Sequence, residues 1–202
     1  MARKQPRSYL CPSAGKNATR RSGWQNWMNF VANTVREKSA LARKRSRIWI
    51  AKIVSKSMRF WDSSALVKLY VKEPDSTAFK RLANDPEVPL ISSFTIHEVH
   101  CAFWRKELSG AVARNAAEIL FQKFLRQIHA EDFKLILYDS GMKNRAVGVV
   151  RRCHGAPNPV MIRSLDALQI ASALEGGATE IVSADLRMRN GGILFGLRVL
   201  PE

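Results

Sequence analysis

Arg59-Phe60-Trp61-Asp62-Ser63-Ser64-Ala65-Leu66-Val67-Lys68-Leu69-Tyr70 changes its period at the acid in its middle. The first three residues read as a short β-strand, and residues 65–72 as a helix with Leu66, Leu69 and Tyr70 on one face. Pro74 ends that helix, and the same alternation then repeats along the chain. A helix over 76–83 leads to an apolar strand over 88–92. A helix over 94–108, begun by Ser92 or Ser93 and ended by Gly110, is followed by one over 113–129 with Ile119, Leu120, Phe124 and Ile128 as its stripe. Residues 134–138 alternate as a strand, and 143–153 read as a helix that stops before Pro157 and Pro159. An alanine-rich helix over 165–174 ends at Gly176-Gly177, and strands over 180–183 and 197–200 enclose a last short helix. Strands alternating with helices predict a three-layer α/β/α sandwich around a central, mainly parallel sheet.

Upstream of Met58 the text is different. Residues 1–57 hold 14 Lys/Arg and a single acid, Glu37, for a net charge of +13. Residues 58–202 hold 19 basic and 16 acidic residues, for a net of +3 within the total of +16. The basicity that suggests a nucleic-acid partner therefore belongs mainly to the extension. Clusters such as Arg43-Lys44-Arg45-Ser46-Arg47 interrupt any apolar stripe, while Trp24, Trp27, Phe30 and Trp49 are scattered among them. The segment reads as poorly structured or partly helical. Its alternatives are a nucleic-acid or anionic-surface tail, an Arg-rich transit peptide, or a start codon placed too early. Two domains are expected, 1–57 and 58–202.

No apolar run approaches the roughly 18 residues that a spanning helix needs, so a soluble protein without a membrane partner is expected. Cys11, Cys101 and Cys153 are odd in number and form no CxxC pair. That spacing speaks against a disulfide scaffold or a cysteine zinc site and fits a reducing cytoplasm.

Four acids sit where such a sheet places its ligands, beyond the carboxyl ends of the strands. Asp62 ends the first strand and Asp185 follows the strand over 180–183. Asp166 lies in the first turn of its helix, two residues after the candidate cap Ser164, and Glu98 lies about one turn into the helix after the second strand. Carboxylates gathered at one rim repel one another, and a hard divalent cation such as Mg²⁺ or Mn²⁺ relieves that repulsion. Such a cation activates water against a phosphodiester. Each acid also has a structural reading. Asp62 and Asp185 suit helix caps, Asp166 suits the helix dipole, and Glu98 suits a solvated surface. The case for chemistry rests on their joint placement.

The 59–70 stretch resembles the opening of PIN domains. The run Leu165-Asp166-Ala167-Leu168-Gln169-Ile170-Ala171 resembles their third acidic block, and Ile181-Val182-Ser183-Ala184-Asp185 with Leu197-Arg198-Val199-Leu200 their closing segment. Residues 92–98 supply the second acid in order, so the resemblance covers 58–202, and it is nearest to VapC-like toxins of toxin–antitoxin pairs. It implies a PIN-like nuclease domain in which Asp62 and Asp166 are the main Mg²⁺ ligands, with Glu98 and Asp185 completing the pocket. It further implies cleavage of single-stranded RNA without a covalent enzyme intermediate, homodimers, and silencing by a cognate antitoxin. Ser63, Ser64 and Ser183 orient carboxylates or waters in this reading, or serve as caps. The basic extension lies outside the pattern, and Gly191-Gly192 is expected to break the helix after Asp185.

His97 and His100 are three apart but lack a third nitrogen ligand, so packing or solvent contact is expected of them. His129 and His154 suit helix ends. Phe103, Trp104, Phe121 and Phe124 are expected in the core or at a dimer face. Arg163, Arg187 and Arg189 flank two acids and are candidate phosphate contacts. Two rivals stand beside the ribonuclease: a catalytically inactive nucleic-acid-binding module, and a phosphatase or DNA-directed nuclease using the same acids.

Overall fold

The computed structural model describes residues 57–202. The readings of the basic extension, apart from Ser57, lie outside the described residues. Five strands form one sheet: β1 (Arg59–Trp61), β2 (Leu90–Ser92), β3 (Lys134–Ile136), β4 (Glu180–Val182) and β5 (Arg198–Leu200). Their order is β3-β2-β1-β4-β5, and every pairing is parallel. Seven helices connect them among the described residues: α1 (Ser63–Tyr70), α2 (Ser76–Ala83), α3 (Ser93–Leu108), α4 (Ala116–His129), α5 (Met142–His154), α6 (Ser164–Glu175) and α7 (Leu186–Leu194).

Alternation along three-residue strands builds two cores, because successive side chains leave opposite faces of a pleated strand. Phe60, Leu90 and Ile181 point to one face, where they meet Met142, Val149, Ile170 and Met188 of α5, α6 and α7. Trp61, Ile91 and Val182 point to the other, against Leu66 and Val67 of α1, Phe103 of α3 and Phe124 of α4. Each of these large side chains removes enough apolar surface to contribute about 1.5–3 kcal/mol, which is why the short strands need apolar residues at both parities. The three-layer sandwich expected from the sequence is the fold observed.

Several boundaries differ from the sequence reading, each for a visible reason. The second strand begins at Leu90 and not at Val88, whose side chain is exposed beside Pro89. The third ends at Ile136, and Tyr138 lies beyond it with its ring edge against Phe94. α4 starts at Ala116 because Asn115 takes a left-handed conformation, φ 66°. Its buried stripe is Ala117, Phe121, Phe124 and Ile128, whereas Ile119 is exposed. Phe103, Phe121 and Phe124 are in the core as expected, but Trp104 is exposed.

Gly191 and Gly192 do not break α7, which runs through both. A Cβ at Gly191 would stand 2.7 Å from Ile170 Cδ1, and one at Gly192 would stand 3.0 Å from Ile181 Cγ2. The pair is there for close approach: it seats α7 on α6 and β4.

Candidate active site

The strand order reverses at β1, which has β2 on one side and β4 on the other. The two connections leaving the carboxyl ends of β1 and β4 turn to opposite faces, and a crevice opens between them. Asp62 follows β1 directly, and its amide still donates to Val182 O of β4 at 3.0 Å. The carboxylate is buried, 5% exposed, and caps α1. Its Oδ2 accepts from the Ser64 hydroxyl at 2.5 Å, the Ser183 hydroxyl at 2.9 Å and the Ser64 amide at 3.4 Å. Oδ1 has only a long contact from the Ser63 hydroxyl, 3.5 Å.

The same hydroxyls stitch the second loop to the first. Ser64 Oγ accepts from the Ala184 amide at 3.0 Å, and Ser183 Oγ accepts from the Asp185 amide at 3.1 Å. Asp185 then caps α7, its Oδ1 accepting from the Arg187 amide at 2.7 Å. Asp166 Oδ2 accepts from the Arg163 amide at 3.1 Å, so the acid satisfies the helix start and Ser164, the expected cap, is the helix's first residue. Asp62 and Asp185 therefore have the capping roles that their sequence context suggested, and Asp166, expected to serve the helix dipole, also bonds the helix start.

All four acids nonetheless line one cleft of about 670 Å³, together with Ser63, Ser64, His97, Cys101, Arg163 and Ala184. Burial, followed by the charge of Asp62, pushes Glu98 up to about 7. Hydrogen bonds from Gln169 and Ser63 oppose that rise, and the charge of Asp166 adds to it. Burial also raises Asp62, against the pull of the Ser64 and Ser183 hydroxyls. For Asp62 and Asp166 the structural and chemical readings are thus compatible, because capping occupies Oδ2 and leaves Oδ1 with at most a long contact, whereas Asp185 Oδ2 lies 3.6 Å from the Arg187 guanidinium.

Away from the acids the cleft turns basic, with Lys68, Arg105 and Lys106 in its wall. Glu73 ties two of these cations together, receiving Lys68 Nζ at 2.6 Å and Lys106 Nζ at 2.8 Å. Glu98, Cys101, Ala102 and Arg105 recur at helical spacing, so one face of α3 runs from carboxylate to guanidinium.

Among the described residues, no three His, Cys, Asp or Glu side chains are drawn together as a ready metal cluster. The donor set nevertheless suits a hard divalent cation. Its donors are all carboxylate oxygens, and Asp166 Oδ1 has no hydrogen bond among the described residues.

Of the candidate phosphate contacts, Arg189 is otherwise engaged. Its guanidinium donates to Ser183 O at 3.0 Å, Leu200 O at 3.3 Å and Pro201 O at 2.8 Å, clasping the ends of β4 and β5. Arg187 Nε is buried without a partner, and Arg163 lines the cleft. His100 accepts from the Trp104 indole at 3.0 Å and stacks on Phe121, the packing role expected of it. The residue that sequence reasoning missed is Gln169, buried on α6, whose side-chain amide donates to Glu98 of α3. A lone amide within an apolar, alanine-rich run was the available signal.

The domain is a parallel α/β fold with acids gathered at its switch point, where such sheets bind their ligands. Residues 59–193 match the PIN domain model, and the chain belongs to the PIN domain family, whose members are nucleases. No curated protein matches it in sequence at a significant level. Its fold is similar to that of VapC20 from Mycobacterium tuberculosis, a sarcin-ricin loop cleaving toxin, with TM-score 0.52, 18% identity, and 66% of this chain covering 95% of that one. FitAB bound to the IR36 DNA fragment gives TM-score 0.54 at 12% identity, over 71% of this chain and 94% of that one. FitAcB from Neisseria gonorrhoeae gives 0.51 at 13%, over 71% and 97%. At such identities the likeness is one of fold. No helix among the described residues is long and apolar enough to cross a membrane.

Proposed function

We propose that this PIN domain is a divalent-metal-dependent endoribonuclease that hydrolyses phosphodiester bonds of single-stranded RNA, acting as the toxin of a toxin–antitoxin pair. The observation that carries the reading is the single cleft lined by Asp62, Glu98, Asp166 and Asp185, which come from four separate elements. In this reading Asp62 and Asp166 are the main holders of Mg²⁺ or Mn²⁺, with Glu98 and Asp185 completing the set. The ion supplies Lewis-acid stabilisation of the phosphoryl oxygens and lowers the pKa of a bound water. Ser64 and Ser183 keep Asp62 oriented through their hydroxyls, and Ser63 stands between Asp62 and Glu98. RNA is the substrate proposed because the sequence resembles VapC-like toxins, and VapC20, similar in fold, is a sarcin-ricin loop cleaving toxin.

A cognate antitoxin and a homodimer belong to the same proposal. A cytoplasmic place of action goes with an RNA target.

The test is cleavage of RNA, single-stranded DNA and flap substrates side by side, with Mg²⁺ or Mn²⁺ and with EDTA. The wild type is expected to cut RNA and to stop on chelation, and Asp62→Asn or Asp166→Asn is expected to abolish cleavage while the protein stays folded. Undiminished cutting by either variant refutes the site. Binding without hydrolysis, insensitive to EDTA, makes the protein a binding module instead.

A further inference from the structure

We infer that Gln169 is a positioning residue of this site, its buried amide holding the Glu98 carboxylate in place from the neighbouring helix. The inference rests on the nuclease reading above. Gln169 is 1% exposed and stands in the run Leu168-Gln169-Ile170-Ala171, where each neighbour faces a core or a packed helix. Burying an amide costs about 1–3 kcal/mol unless its hydrogen bonds are restored. Gln169 restores them on α3 alone. Thr95 Oγ1 lies 3.2 Å from its Oε1 and 3.1 Å from its Nε2, and Nε2 donates to Glu98 Oε2. The ionised carboxylate that a metal ligand requires only accepts, so in that state the NH₂ end faces Glu98 and the carbonyl is left to the Thr95 hydroxyl. Thr95 is itself fully buried, which fixes the amide against rotation.

The placement is specific to the acids. Gln169 lies one turn beyond Asp166 on α6, and Thr95 one turn before Glu98 on α3. The polar pair therefore sits directly beside the two acids that these helices deliver. An interhelical bridge serving stability alone needs no link to Glu98 and is replaceable by two apolar side chains at little cost. A residue that fixes the direction of a ligating carboxylate is not replaceable in this way. Outer partners of metal ligands commonly matter about 10- to 100-fold.

The experiment compares the full-length wild type, Gln169→Leu, and the double variant Thr95→Val/Gln169→Leu, which keeps an apolar contact should the single change fold badly. Mn²⁺ affinity is measured by calorimetry, folding by thermal denaturation, and kcat and KM on single-stranded RNA. Folded variants are expected to bind Mn²⁺ about 10- to 100-fold more weakly and to lose kcat in proportion. KM for RNA should stay within about twofold, because the change does not remove a contact to substrate. A folded double variant with wild-type Mn²⁺ affinity and kcat overturns the inference and leaves the nuclease reading standing. A wild type that neither binds Mn²⁺ nor cleaves RNA overturns both.

Discussion

Asp62 divides its two oxygens between folding and the cleft. Oδ2 takes the Ser64 and Ser183 hydroxyls and caps α1, and Oδ1 is left nearly bare. Such a carboxylate is expensive when ionised without a counter-charge, and Glu98 shares the cost. An acid whose folded pKa is raised adds stability that is complete below its unfolded pKa and is lost as pH climbs through the folded one. For Glu98 the window runs from its ordinary 4.5 to about 7. In EDTA the melting temperature is therefore expected to fall as pH is raised across that window, and Glu98→Gln to flatten the fall. A slope unchanged by that substitution would show that other groups cause it. The shared cleft placement of Asp62, Glu98 and Asp185 was legible in the sequence because each stands in or just before a helix that follows a strand, and that of Asp166 because it stands in the first turn of the helix leading into β4. Gln169 was not, because its meaning depends on a contact 71 residues away in the chain. Nor was the Arg189 clasp, whose acceptors are main-chain carbonyls brought near by the sheet.

At the level of elements, type and order were readable and faces were less so. Alternation of apolar strands with amphipathic helices dictated the sandwich, and capping residues such as Ser92 marked helix starts. Ile119 misled because hydrophobicity alone does not say which of two overlapping stripes meets the sheet, and Phe121 with Phe124 won that competition. The glycine doublet of α7 misled for the opposite reason: its role is contact and not backbone freedom. Alanine substitution separates the two roles. Gly148, within α5 with open space around its Cβ position, is expected to gain about 0.5–1 kcal/mol on Gly148→Ala from helix propensity. Gly191→Ala meets Ile170 and Ile162 in a filled core, and overpacking of about 1–3 kcal/mol outweighs that gain. Urea denaturation of the two variants should show opposite signs.

For the whole molecule, charge and topology divide the labour. The described domain is nearly balanced, and most of the net +16 lies in residues 1–57. Affinity for a single strand falls with salt at a log–log slope of about −0.7 per phosphate neutralised. The full chain is expected to show a steep slope and residues 58–202 alone a shallow one, with kcat at saturating RNA unchanged; equal slopes would leave the extension no part in binding. Arg105→Gln, at the basic end of the cleft, should reduce the slope by about 0.7, or one contact, and leave kcat alone. The parallel order β3-β2-β1-β4-β5 also has a temporal side. Ser183 and the β4 carbonyl that receives the Asp62 amide emerge from the ribosome about 120 residues after Asp62 itself. A polypeptide grown only as far as β1 carries the first acid without the strand that seats it, so the cleft is assembled only once β4 has joined the sheet.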